Sequence, residues 1–454
     1  MTESLLITHG LVFLPDGQLS LRHLRVVDGR ITEISKKLLQ RMDGEREVCA
    51  KEFIITPGLI NAHTHSPLSS LKGTTDRMGH PEFMWTNQVD TFNRSPEVVE
   101  AATTIAAADM LRQGITSVID NVPEQNADFA SVAPVVNAWK HSRMRCAISL
   151  RQFDQPYTDI GPVDPRLTEN PLAPKSIEDI TGIAIEAIKS WHDPNRGLSV
   201  MVGPSNTERC SDNLLLALYS IAEENDVQFH GHFCETKIQV EQRKMIDGRT
   251  PTERLMDLNI LSKRCCFAHC VWLSESDIIS FADTGAIAIH NPNSNCKLGV
   301  GLMPLGAMFE AGVKIALATD GASTNDTLNM HEAMALALYL QRASSQITKS
   351  NWLTANDSLN FSTLGGACAL GMPNSVGQIK EGAWADLVFY DRFSIDLYPL
   401  NNFVEQLVFA ERGNSVAMTM VAGKMIYDRQ CSVSPRIRDA QDVLAEDRRI
   451  RLDK

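Results

Sequence analysis

Two histidines one residue apart, His63 and His65, close the apolar stretch Leu59-Ile60-Asn61-Ala62. In an extended strand, side chains at i and i+2 leave the same face. The two imidazoles therefore project side by side, as two ligands of one metal ion would. Polar groups end other apolar runs in the same way. His232 follows Val227-Gln228-Phe229, His269 follows Cys265-Cys266-Phe267-Ala268, His290 follows Ala286 to Ile289, and Asp320 follows Val313 to Thr319. Singly, each is an ordinary polar residue. Together, imidazoles and a carboxylate are the ligand types of a divalent ion that activates water.

The elements that must position them alternate. Residues 97–112 have helical periodicity, with Val98, Ala101, Ile105, Ala106 and Met110 apolar and Gly114 as the stop. Strands are expected before His63 and at 115–120, 145–150, 198–202, 227–232, 264–269, 286–290 and 313–320. Eight strands interleaved with helices predict a (β/α)8 TIM barrel over residues 56–370. Strand C-termini meet at one mouth of such a barrel. His63, His65, His232, His269 and Asp320 then form one ligand set for a single divalent ion with a position left for water. Residues 1–55 read as short strands with a hairpin turn at Asp28-Gly29, and Leu387–Asp391 and Val416–Tyr427 read likewise. Neither end makes a stable sheet alone. The α/β architecture expected is thus a barrel plus a small β-sandwich formed by both chain ends, residues 1–55 and 371–454.

Composition excludes other classes. A net charge of −12 argues against a nucleic-acid surface. No apolar run reaches the ~18–20 residues of a membrane span, and the first residues lack the basic leader of a signal peptide. The ten cysteines form no repeated C-x-x-C pattern, which favours free thiols and a cytoplasmic setting over a thiolate zinc cage. The zinc base-deaminase signature P-C-x-x-C does not occur.

The segments TPGLINAHTH (56–65), FHGHFCET (229–236), FAHCVWL (267–273), HNPNSNCKLGVG (290–301), ATDGASTND (318–326) and GQIKEGAWADLVFYD (377–391) resemble the amidohydrolase superfamily. More narrowly, they are similar to the branch holding s-triazine hydrolases, guanine deaminase and the methylthioadenosine and S-adenosylhomocysteine deaminases. The resemblance spans nearly the whole chain. It implies one divalent metal ion per chain, usually zinc and in this branch also iron, held by His63, His65, His232, His269 and Asp320. It implies Glu235 as the proton shuttle, with Asp320 and His269 as its catalytic partners. The activity implied is hydrolytic removal of an amino or substituted amino group from an N-heteroaromatic ring: a purine, pterin, pyrimidine or s-triazine. The alternative is the same site cleaving C–Cl on a triazine, or an amide, urea or thiocarbamate bond. A small-molecule substrate and a homo-oligomer are expected, with neither nucleic acid nor membrane as partner.

Substrate contacts are expected from His290, Trp85, Gln88, Asn295, Asn325 and Arg151. Trp85 would stack on a flat ring, Arg151 would bind a polar tail, and Asp326 would orient its loop. The packing readings stand beside these: a core tryptophan, turn asparagines, a surface salt bridge. His230 is expected one layer deeper than His232, in a structural role. His9, His23, His80, His141, His192 and His331 are read as surface or packing residues. One departure from the family matters. Nucleoside deaminases of the branch carry a histidine after the glycine-proline of strand four, whereas this chain reads Gly203-Pro204-Ser205. That argues against a thioadenosine or homocysteine substrate.

Overall fold

Residues 3–92, 94–122, 128–155, 174–344, 349–431 and 433–452 are described by the structure, a computed structural model. The chain begins with β1 (Ser4–Phe13), β2 (Leu19–Val27), β3 (Arg30–Ser35), β4 (Arg46–Cys49) and β5 (Phe53–Pro57). The ring strands follow: β6 (Leu59–Thr64), β7 (Ile115–Val122), β8 (Arg145–Leu150), β9 (Leu198–Met201), β10 (Phe229–Phe233), β11 (Cys265–His269), β12 (Ile287–His290) and β13 (Lys314–Leu317). The last strands are β14 (Leu387–Asp391), β15 (Val416–Val421) and β16 (Lys424–Asp428).

β6 to β9 and β10 to β13 form two parallel four-stranded runs. Parallel bridges from Val202 to Phe229 and from Asn206 to His232 join them on one side. On the other side the Asp320 amide donates to the His63 carbonyl at 3.1 Å, and the Asn61 side chain bonds Thr319. The ring is a (β/α)8 barrel, with strand positions as the sequence pattern predicts. The join between β9 and β10 depends on Gly203, where an added β-carbon would lie 2.1 Å from the His230 carbonyl oxygen.

Each crossover helix is set by local signals. Helix Pro96–Leu111 starts where the Ser95 side chain accepts from the Val98 amide, with proline in its first turn. It stops before Gly114, whose φ of +81° suits glycine. Its apolar face (Val99, Ala106, Met110) packs on Val118 and Val122 of β7. Ile119, Ala147, Met201, Cys266, Ile287, Ile289 and Ala316 cluster across the ring strands. The polar residues come later on most of these strands, at the mouth.

β5 pairs antiparallel with β14, giving one sheet ordered β16-β15-β14-β5-β1-β2-β3, with β4 beside β1. Leu5, Ile7, Leu24, Val26 and Ile31 share a core with Leu387, Phe389 and Met420. A buried pair ties this sheet to the barrel: Arg145 Nε donates to Asp386 Oδ2 at 3.0 Å, at the start of β8. One expectation needs adjustment. The helix Pro435–Leu452, grouped by sequence position with the terminal sheet, packs on the barrel helix Pro96–Leu111, and Arg451 pairs with Asp90 beside the barrel mouth. No described helix is long and apolar enough to cross a membrane.

Candidate metal centre and active site

The five residues singled out from the strand ends converge. His63, His65 and His232 place ligand atoms within 4.8 Å of one another, as do His63, His269 and Asp320. His65 Nε2 lies 3.2 Å from His232 Nε2. Asp320 Oδ1 lies 3.3 Å from His65 Nε2 and 3.6 Å from His63 Nε2. A metal held at about 2.0–2.1 Å from each nitrogen requires ligand atoms roughly 3–4 Å apart.

The tautomers fit the same reading. His65 Nδ1 bonds the Asn121 carbonyl, and His232 Nδ1 bonds the Ser205 carbonyl at 2.6 Å. His269 Nδ1 lies 2.9 Å from Asn295 Oδ1. A carbonyl oxygen can only accept, so each Nδ1 carries the proton and each Nε2 presents a lone pair. Burial keeps His63, His65 and His232 neutral. It takes the His65 pKa down to about 4, and it lowers His63 and His232 well below the ordinary value, with neighbouring imidazoles adding to the effect. Lone pairs of His65 and His232 thus face one another beside a carboxylate. His63 Nε2 and His269 Nε2 are buried without a hydrogen-bond partner among the described residues. Orphaned lone pairs around one point are costly unless a cation fills it, so the donor set fits a divalent ion.

Backbone geometry aims two of these groups. His269 (φ +77°) and Asp320 (φ +59°) occupy the left-handed region, which costs a residue with a β-carbon about 1–2 kcal/mol. Such strain concentrates at functional sites. Asp320 is held further by Ser294 Oγ, donating to Oδ2 at 2.6 Å, and by the Gly321 amide, donating to Oδ1 at 2.8 Å.

Glu235 lies at the mouth, buried, with Oε1 3.7 Å from His269 Nε2. Burial alone would raise its pKa, and the contact with His80 opposes that rise. His80, read from the sequence as a surface or packing residue, is buried against this carboxylate. Its Nε2 lies 3.2 Å from Glu235 Oε2. A signal existed: His80, Met84 and Asn87 recur at helical spacing on one face of the helix His80–Phe92. Phe83, Met84 and Asn87 line the cavity above the histidines, with Arg151, Ser205 and Asn206 opposite.

The six expected substrate contacts separate. Arg151 lines the cavity, with Nη2 3.3 Å from Ser205 Oγ. Asn295 orients His269. Asn325 Nδ2 donates to the Thr319 carbonyl at 3.0 Å, holding the turn after β13. Trp85 lies off the face of His80 and Met84 and borders a separate cavity with Val89 and Leu444. Gln88 is buried in the same helix but is not among the residues lining the site. His290 borders a third cavity with Met303, Leu305 and Gln341, because strand alternation gives the inward positions of β12 to Ile287 and Ile289. Asp326 accepts from the Gly73 amide at 2.6 Å and pairs with Lys297, so it does fasten its loop.

Comparison with known proteins accords with this geometry. The chain is 30% identical over 426 residues to a 5-methylthioadenosine/S-adenosylhomocysteine deaminase of Thermococcus sibiricus, covering 93% of this chain and 94% of that one. It is 29% identical over 427 residues to a 5'-deoxyadenosine deaminase of Methanothermobacter thermautotrophicus, covering 93% of each. A zinc-bound adenosine deaminase of Xanthomonas campestris matches with a TM-score of 0.83 at 28% identity, covering 97% of this chain and 98% of that one. A zinc-bound atrazine chlorohydrolase of Arthrobacter aurescens shares the fold, with a TM-score of 0.87 at 20% identity over 97% of this chain and 100% of that one. The amidohydrolase family model matches residues 54–426, and the chain belongs to that family.

Proposed function

We propose that the protein is a metal-dependent hydrolytic deaminase that removes an amino group from an N-heteroaromatic ring, with residues 56–370 as its catalytic unit. One observation carries the reading: the buried ligand atoms of His63, His65, His232, His269 and Asp320 converge beside the carboxylate of Glu235. The likeness to deaminases of adenosine-type substrates supports it. A single zinc ion fits the donor set, and a bound divalent ion lowers the pKa of its water from ~16 toward ~7.

The chain's own groups then move two protons. Glu235 takes one from the attacking water and delivers it to the ring nitrogen next to the carbon under attack, opening the C=N bond. Asp320 takes the second, from the hydroxyl now on that carbon, and its transfer to the amino group lets ammonia leave as the C=O forms. His80, 3.2 Å from Glu235 Oε2, holds the carboxylate beside the reacting carbon, while His269 serves as a ligand. Met84 and Phe83 provide an apolar wall for a flat ring, while Arg151, Asn206 and Asn87 offer polar partners to its substituents. Ser205 lines the same pocket beside Asn206 and Arg151.

Metal analysis with an ammonia-release screen tests this. About one zinc per chain is expected, with ammonia released from members of a purine, pterin and triazine panel. Two tightly bound ions would overturn the mononuclear reading. Release of chloride or an alkylamine with no ammonia would overturn the deaminase reading.

A further inference from the structure

Three imidazoles of the cluster rest their Nδ1 on an oxygen acceptor. His63 does not. Its Nδ1 lies 2.9 Å from Nε2 of a fifth histidine, His230, and His230 Nδ1 lies 2.9 Å from the Cys266 carbonyl oxygen. Both rings are fully buried. His230 sits two residues before His232 on β10, so the two share a face, one layer apart.

The proton positions follow from the end of this chain of contacts. The Cys266 carbonyl can only accept, so His230 carries its proton on Nδ1. In the neutral ring Nε2 is then an acceptor, and the bond to His63 must be donated by His63 Nδ1. That leaves His63 Nε2 as a lone pair aimed at the cluster. The Cys266 thiol lies 3.4 Å from the same His230 nitrogen, farther than the carbonyl. A hydrogen bond from that thiol would set the nitrogen's lone pair against the carbonyl oxygen.

We propose that His230 is a positioning residue of the metal centre, passing the polarity of the Cys266 carbonyl to His63 and locking His63 in the tautomer that ligates through Nε2. The proposal rests on the metal-site reading above. Outer partners of this kind typically change metal affinity by 10–100-fold when lost.

The test compares zinc affinity, by chelator competition, in wild type, His230→Met and His230→Gln, with thermal melts of the zinc-free proteins as the check on folding. Methionine fills the space but neither holds His63 nor reaches the carbonyl as a donor. Glutamine can do both, accepting through Oε1 and donating through Nε2. Zinc affinity falling about 10–100-fold in His230→Met and largely restored in His230→Gln is the expected result. Wild-type affinity in His230→Met, or an equal loss in both variants, would overturn the proposal. Should the methionine variant not fold, weak zinc binding by a folded glutamine variant would still overturn it. A wild-type protein that binds no zinc would instead refute the metal-site reading.

Discussion

His80 Nε2 stands 3.2 Å from Glu235 Oε2, and both side chains are buried at the barrel mouth. The helix after β6 is thereby pinned to the carboxylate that the proposed reaction uses. Removing the imidazole as His80→Ala frees the glutamate to turn away and leaves the metal ligands untouched. Turnover should fall about tenfold or more, as expected when a group assisting acid–base catalysis is displaced, with zinc content unchanged. Steady-state kinetics beside metal analysis checks this, and equal loss of zinc and activity would point to a structural role instead.

Glu235→Gln preserves shape and hydrogen bonding but cannot carry a proton. Activity should drop by about 10²–10⁴-fold, while zinc binding and melting temperature stay near wild type. Near-normal turnover would remove Glu235 from the mechanism.

Asp120, within β7, is buried against Ser66 and Trp139. Burial pushes its pKa up to about 6, although hydrogen bonds from Ser66 and Trp139 oppose the shift. Its folded-state pKa lies above the unfolded value, so the native state binds the proton more tightly. This stability contribution is full below about pH 4 and is lost as pH rises toward 6. Asp120→Asn lacks the titration. The melting-temperature advantage of wild type over the variant should therefore shrink between pH 4 and 7, by an amount equivalent to at most about 3 kcal/mol. An advantage that grows with pH would contradict the assignment.

Arg145 and Asp386 form a pair with each side chain only 2% exposed, joining β8 to the terminal sheet. Asp386 Oδ1 also accepts from the Ala422 amide at 2.7 Å. Asp386→Ala strands a buried guanidinium, which typically costs about 3–5 kcal/mol. Denaturant unfolding should show that loss. A cost below about 1 kcal/mol would place the pair among weakly contributing ion pairs.

The barrel strands were legible because each combines an apolar run with a flanking turn or helix stop, a local signal that packing then reinforces. The histidine–aspartate cluster was legible for a related reason: His63, His65, His232, His269 and Asp320 each end such a run, and barrel closure brings strand ends together. Glu235 was found through its spacing from His232 within a matched motif. Residues chosen for their type alone fared differently. Trp85 and His290 are suited to substrate contact, but helix phase turns the first toward Leu444 and strand alternation turns the second toward Met303. The sequence by itself thus determined the order of elements and the identity of the clustered residues, since both depend on periodicity along the chain. Only the tertiary structure decided that His80 meets Glu235, that His230 lies against His63, and that Asn295 lies against His269. Those pairings join residues 155, 167 and 26 positions apart, and a pattern that repeats every two or 3.6 residues carries no information about which of them meet.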